Sequence, residues 1–86
     1  MARVMVERRF CDAASYDELQ AREDSFAWCA EKHQVTFNRS YFSKERKRMI
    51  CEYEAPDAEA VRKLQRTASM PFERIWTAIV FDWAAR

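Results

Sequence analysis

The sequence contains no glycine in 86 residues, where average usage would place about six. Glycine lets the backbone take positive φ and lets a phosphate approach the chain closely. Its absence removes the P-loop, the G-x-G-x-x-G dinucleotide turn and the EF-hand loop, and with them the Asn-Gly hairpin turn. Turns have to close by other means. The expectation is longer type I turns and ordinary helix ends, with no residue specialised for positive φ.

The remaining composition is that of a folded domain: 49% apolar, 34% charged and net charge +1. Area scaling gives roughly 5,400 Å² for a folded monomer of this mass against roughly 15,000 Å² for the extended chain. That is enough burial for one domain, residues 1–86, with one modest core. Three tryptophans, three tyrosines and six phenylalanines are many for such a core, so part of this set is expected on a surface covered by a second copy in a homodimer. A near-neutral charge lacks the standing basic field of a nucleic-acid or membrane-surface protein. No apolar run approaches 18 residues, and the N-terminal segment Met1 to Glu7 lacks a signal-peptide core. Cys11, Cys29 and Cys51 cannot all pair, and their spacing matches no zinc or redox motif. Free thiols in a cytoplasmic protein are the expectation.

Residues 3–10 are rich in β-formers and read as a first strand. Ser15-Tyr16-Asp17-Glu18 is a capping box opening a helix to about Lys32 or His33, its apolar stripe interrupted at Arg22 and Glu23. Residues 34–43 read as a second strand with Val35, Phe37, Arg39 and Tyr41 on one face. Lys44 to Lys47 form a charged hairpin tip, and residues 48–54 a third strand. Pro56 stops that strand and Asp57 caps a second helix over 58–68 that buries Val61, Leu64 and Ala68. Residues 73–82 read as a fourth strand, followed by a short tail. The order β-α-β-β-α-β is the ferredoxin-like arrangement of α+β class, a four-stranded antiparallel sheet with both helices on one face. The other face is left bare, and a bare face carrying aromatics usually binds something.

The chemistry is sparse. The third strand, Arg48-Met49-Ile50-Cys51-Glu52-Tyr53-Glu54, lacks the glycine and aromatics of an RNA-recognition strand. Metal-transport domains of this fold need Cys-x-x-Cys after the first strand, where only Cys11 stands. Four grouped cysteines for an iron–sulfur cluster are also missing. His33 suits either a metal ligand or a helix C-terminal cation, and Cys51 either a ligand or a buried filler. Glu7, Glu52 and Glu54 lie on neighbouring strands. Carboxylates there are costly unless paired with arginine, bound to metal or facing water. They form either cross-strand ion pairs or a polar site with Tyr41 and Cys51.

Several segments together resemble the DUF4242 family of small bacterial domains, some of which bind nickel. They are Val6-Glu7-Arg8, Arg39-Ser40-Tyr41 with Ser43, Cys51-Glu52-Tyr53-Glu54-Ala55-Pro56-Asp57 leading into Glu59-Ala60-Val61-Arg62, and Met70-Pro71 with Arg74-Ile75. The resemblance implies ferredoxin-like domains paired through their sheet faces as a dimeric α+β barrel. It also implies a helix histidine at the position of Leu64, and a glycine and a phenylalanine at those of Ser69 and Met70. The leading expectation is a non-enzymatic protein holding nickel, another divalent metal or a small polar ligand near a homodimer interface. Glu7, Arg39, Tyr41, Cys51 and Glu54 are the candidate ligand residues, and His33, Cys51 and Glu54 the candidate metal ligands. Two alternatives stand beside it. One is an α+β barrel enzyme for a small hydrophobic or aromatic substrate, with Tyr41 or Glu7 as acid–base. The other is a structural dimer with its contact at Trp76 and Trp83.

Overall fold

The computed structural model describes residues 1–84. The order is β1 (Ala2–Arg9), α1 (Tyr16–Ser25), α2 (Ala27–Lys32), β2 (Thr36–Phe42), β3 (Arg48–Ala55), α3 (Ala58–Thr67) and β4 (Arg74–Ala78). One antiparallel sheet runs β2-β3-β1-β4. This is the ferredoxin-like topology expected from the element order. The domain measures 39 × 32 × 20 Å, and 20 Å is about the depth of one sheet and one helix layer.

Alternation along the strands sorts side chains onto two faces. Ala2, Val4, Val6 and Arg8 of β1 share the helix-covered face with Met49, Cys51, Tyr53 and Ala55 of β3. Val61 and Leu64 of α3, Cys29 of α2 and Val35 close the core over them. The opposite face is open. The accessible area of 6066 Å² exceeds the roughly 5,400 Å² of a compact monomer, consistent with the uncovered sheet face.

Two boundaries and one strand register differ from the sequence reading. The first helix is two helices. Ser25 Oγ donates back to the Ala21 and Arg22 carbonyls at 2.9 and 3.1 Å, a contact that bends helices, and the Phe26 N–H donates to Glu23 O at 3.2 Å, tightening the turn. Strand β4 ends at Ala78 because Ala78 pairs with Arg3; beyond it β1 has almost no chain left to offer a ladder. Ile79 is consequently 95% exposed. Of the tail expected after the strand, Ala85 and Arg86 lie outside the described residues. In β2 a bulge between Phe37 and Arg39 shifts the alternation by one. Phe37 pairs across to Tyr53 on the helix side, while Arg39 and Tyr41 stand opposite Glu52 and Ile50 on the open side. The shared face expected for all four residues is split there.

The turns also correct the expectation drawn from the missing glycine. Gln34, Arg46 and Ser69 hold φ of 59°, 59° and 52°. Gln34 and Ser69 each end a helix in a Schellman motif. After α2, Gln34 N–H donates to Glu31 O at 3.0 Å and Val35 N–H to Ala30 O at 2.8 Å. After α3, Ser69 N–H donates to Arg66 O at 3.1 Å and Met70 N–H to Gln65 O at 2.9 Å. At the hairpin tip Arg46 N–H donates to Ser43 O at 2.9 Å, and Arg46 then turns left-handed. The chain places non-glycine residues where the cap geometry demands positive φ, at about 1–2 kcal/mol each.

Glycine at these positions removes that strain but loosens the unfolded chain. Gln34→Gly and Ser69→Gly are each expected to raise stability by about 0.5–1 kcal/mol. Urea unfolding measures this, and a lower midpoint in both variants contradicts it.

Candidate functional site

The open face gathers charge around one carboxylate. Glu52 follows Cys51 on β3 and so points away from the helices, yet it is only 6% exposed. Its neighbours cover it. Tyr41 Oη donates to Glu52 Oε1 at 3.3 Å and Asn38 Nδ2 to Oε2 at 3.3 Å. Arg39 Nε lies 3.5 Å and Arg3 Nε 4.0 Å from Oε2. Arg3 also reaches Glu54 Oε1 at 3.3 Å. The bulge at Asn38 makes this closure possible, because it places Asn38 and Arg39 together over one residue of β3. A second cluster forms around Glu7, whose Oε2 accepts from Trp76 Nε1 at 2.7 Å and lies 3.8 Å from Arg74 Nε.

The structure therefore brings Arg39, Tyr41 and Glu54 together around Glu52 and sets Glu7 in an adjoining cluster on the same face. Cys51 is not with them. It lies fully buried on the helix side, one residue from Glu52, because successive residues of a strand face opposite ways. Burial pushes its thiol pKa up, which favours the protonated form over the thiolate a metal needs. His33 is the C-cap of α2, its N–H donating to Cys29 O, in the helix layer. The three metal candidates His33, Cys51 and Glu54 are thus spread over both layers. Among the described residues no group of three or more His, Cys, Asp or Glu side chains is placed to hold a metal ion. Leu64 packs in the apolar core.

The helix side holds a polar relay that the sequence reading passed over. Arg8 ends the apolar run of β1. Its Nη1 donates to Pro71 O at 2.9 Å, and its Nη2 to Gln65 Oε1 on α3. Gln65 Nε2 donates to Tyr53 Oη at 3.4 Å, and Tyr53 Oη donates to Glu23 Oε1 at 2.7 Å. Two signals existed in the sequence. Arg8 occupies an inward position of β1, and Arg22-Glu23 interrupt the apolar stripe of the first helix. Both interrupting residues reach other elements, since Arg22 Nη1 donates to Ala68 O at 3.1 Å. Burial raises the Glu23 pKa against the lowering effects of the Tyr53 hydrogen bond and the Arg8 charge, and burial also pushes the Tyr53 phenol up. A cavity of about 440 Å³ lies between α1 and β2, lined among others by Tyr16, Glu23, Phe37, Phe42 and Met49. It is the cleft between sheet and helices that the enzyme alternative requires. Its carboxyl is Glu23, however, with Tyr41 and Glu7 both on the other side of the sheet.

A family model described as nickel responsive protein SCO4226-like matches residues 5–77. The chain belongs to this nickel responsive family. The match runs from β1 into β4 and so takes in both the open face and the relay. Among solved structures, the crystal structure of SCO4226 from Streptomyces coelicolor A3(2) superposes with a TM-score of 0.81 at 20% identity, covering 94% of this chain and 100% of that one. At that identity the likeness shows a shared fold. No curated protein matches the sequence.

The Glu23 carboxyl is easier to protonate in the folded chain than in the unfolded one. The folded state therefore binds more protons, and this group's contribution to stability falls as pH rises from its ordinary value of 4.5 through the raised one. Glu23→Gln keeps an acceptor for Tyr53 and cannot ionise. The variant is expected to match the wild type below that range and to exceed it at neutral pH, as read by urea unfolding across pH. Parallel stability curves contradict this.

Proposed function

We propose that the chain is a non-enzymatic binding protein of the nickel responsive family that works as a homodimer. Two open sheet faces turn toward each other and enclose a small polar ligand between them. The observation that carries the reading is the open face itself. It presents the covered Glu52 cluster beside exposed Trp76 and Tyr41 and half-buried Met5 and Ile50. That combination of aromatic surface with charges of both signs suits a second copy of itself, since a two-fold contact sets each patch against its equivalent.

Nickel does not fit the donors of one chain. Divalent nickel favours imidazole and softer donors over oxygen alone, and the single histidine and the buried thiols stand apart from the carboxylates of the open face. Glu7, Glu52 and Glu54 are each already within ion-pair distance of an arginine. Arg9 is taken by Glu73, and the remaining Arg3, Arg39, Arg48 and Arg74 still outnumber Glu7, Glu52 and Glu54 on this face, so the local field does not favour a dication. A nickel response in this protein accordingly rests on weak binding, or on ligands contributed jointly by two copies.

Native mass spectrometry and sedimentation of untagged protein test the reading. The expected species is a dimer that retains no stoichiometric nickel after dialysis. Trp76→Glu is expected to shift it toward monomer at micromolar concentration, because the added carboxylate faces Glu7. A monomeric wild type overturns the dimer. Tight nickel binding at one ion per monomeric chain overturns the reading of the donor set.

A further inference from the structure

A cavity of about 520 Å³ opens beside the C-terminal end of β1, on the helix side of the sheet. Its walls come from the connection into α1, the first turns of α1, and Ser69 to Pro71. Arg8, Arg9 and Arg22 border it, with Asp12 and Glu18 as the acidic residues. Arg9 is engaged elsewhere, with Nε 3.2 Å from Glu73. Arg8 and Arg22 bond only to uncharged groups. Neither forms an ion pair among the described residues.

Arg8 is only 4% exposed. Both its Nη partners, Pro71 O and Gln65 Oε1, are neutral, its Nε is buried with no acceptor in hydrogen-bond geometry, and the neutral Cys51 thiol lies beside the guanidinium. The carboxyl at the far end of the relay, Glu23, is reached only through two uncharged side chains. The Glu23 charge is felt at Arg8 without a direct ion pair, a weaker compensation than a paired carboxylate gives a buried guanidinium, and an orphaned buried donor calls for an acceptor. Arg22 spends one of its five N–H donors, on Ala68 O. The positive end of the ten-residue helix α1 borders the same space. Phe10, Leu19 and Met70 give the cavity an apolar wall.

We propose that this cavity binds a small organic anion, with its oxyanion head held by Arg8 and Arg22 and its apolar body lying against Phe10, Leu19 and Met70. The site is on the opposite side of the sheet from the open face. It stands or falls independently of the dimer.

The test follows the side-chain Nε–H signals of Arg8 and Arg22 by 15N NMR during separate titrations with benzoate and with inorganic phosphate. A saturable shift of both signals at or below about 10 mM supports the site. Tighter binding of benzoate points to an aromatic or aliphatic carboxylate, and tighter binding of phosphate to a phosphate ester. Arg22→Gln is expected to weaken the tighter probe about tenfold, the scale of one charge-assisted hydrogen bond. Arg66→Gln, on the exposed side of α3 beside Glu59, is expected to leave affinity unchanged. Arg8→Gln removes a buried partner of α3 and risks unfolding, so the Arg22 variant and the wild-type Arg8 signal carry the test. No saturable shift with either probe, or undiminished affinity in Arg22→Gln, overturns the proposal.

Discussion

The Arg8 guanidinium starts the hydrogen-bond network that ties the sheet to its helices. It sits at the end of the central strand β1 and bonds to α3 through Gln65 and to the chain after α3 through Pro71. Gln65 hands the connection to Tyr53 on β3, and Tyr53 hands it to Glu23 on α1. One network thus ties α1 and α3 to the two middle strands. A buried network of this kind is worth its desolvation only when nearly every member is satisfied. Here one atom, Arg8 Nε, is not. The same residue organises the helix layer and borders the cavity proposed to take an anion.

The two faces of the sheet follow different rules. The helix side is apolar apart from the relay, and its stability comes from burial of Val4, Val6, Met49, Cys51, Val61 and Leu64. The open side is held by cross-strand ion pairs around Glu52 and Glu7. Such pairs contribute little in free solvent. Closure by a second copy would exclude water from them and raise both their strength and the penalty for any mismatch. In the proposed dimer the open face would therefore suit a specific partner better than a generic one, and its carboxylates are already within ion-pair distance of arginine.

Particular elements show how much the sequence could tell. The strand and helix order, the Asp57 cap and the core of α3 were all legible, because each depends on residues within a few positions of one another. The Asp57 carboxylate accepts from Ala60 N–H at 2.9 Å, as its place before a helical stripe implies. The break at Phe26 was not legible, since it follows from Ser25 bonding back into the turn rather than from periodicity. The early end of β4 was not legible either, because it is set by the length of β1, which lies some seventy positions away. Cys51 entered the candidate site through its closeness in sequence to Glu52 and Glu54. The pleat, which separates neighbours onto opposite faces, removes it. From the sequence Glu52 reads only as one of three costly carboxylates, whereas the fold makes it the centre of the open-face cluster.

By itself, the absence of glycine excluded phosphate-cradling loops, because those need a residue without a side chain at the point of contact. It did not exclude left-handed backbone. Gln34, Arg46 and Ser69 adopt it, since Schellman caps and a tight hairpin end impose that geometry and packing of the finished fold offsets a strain of about 1–2 kcal/mol. Local sequence therefore determined which elements form and in what order. Tertiary structure alone decided which charges meet, around Glu52 on one face and through Arg8 on the other. Those encounters join residues tens of positions apart, and their geometry depends on the register of the whole sheet.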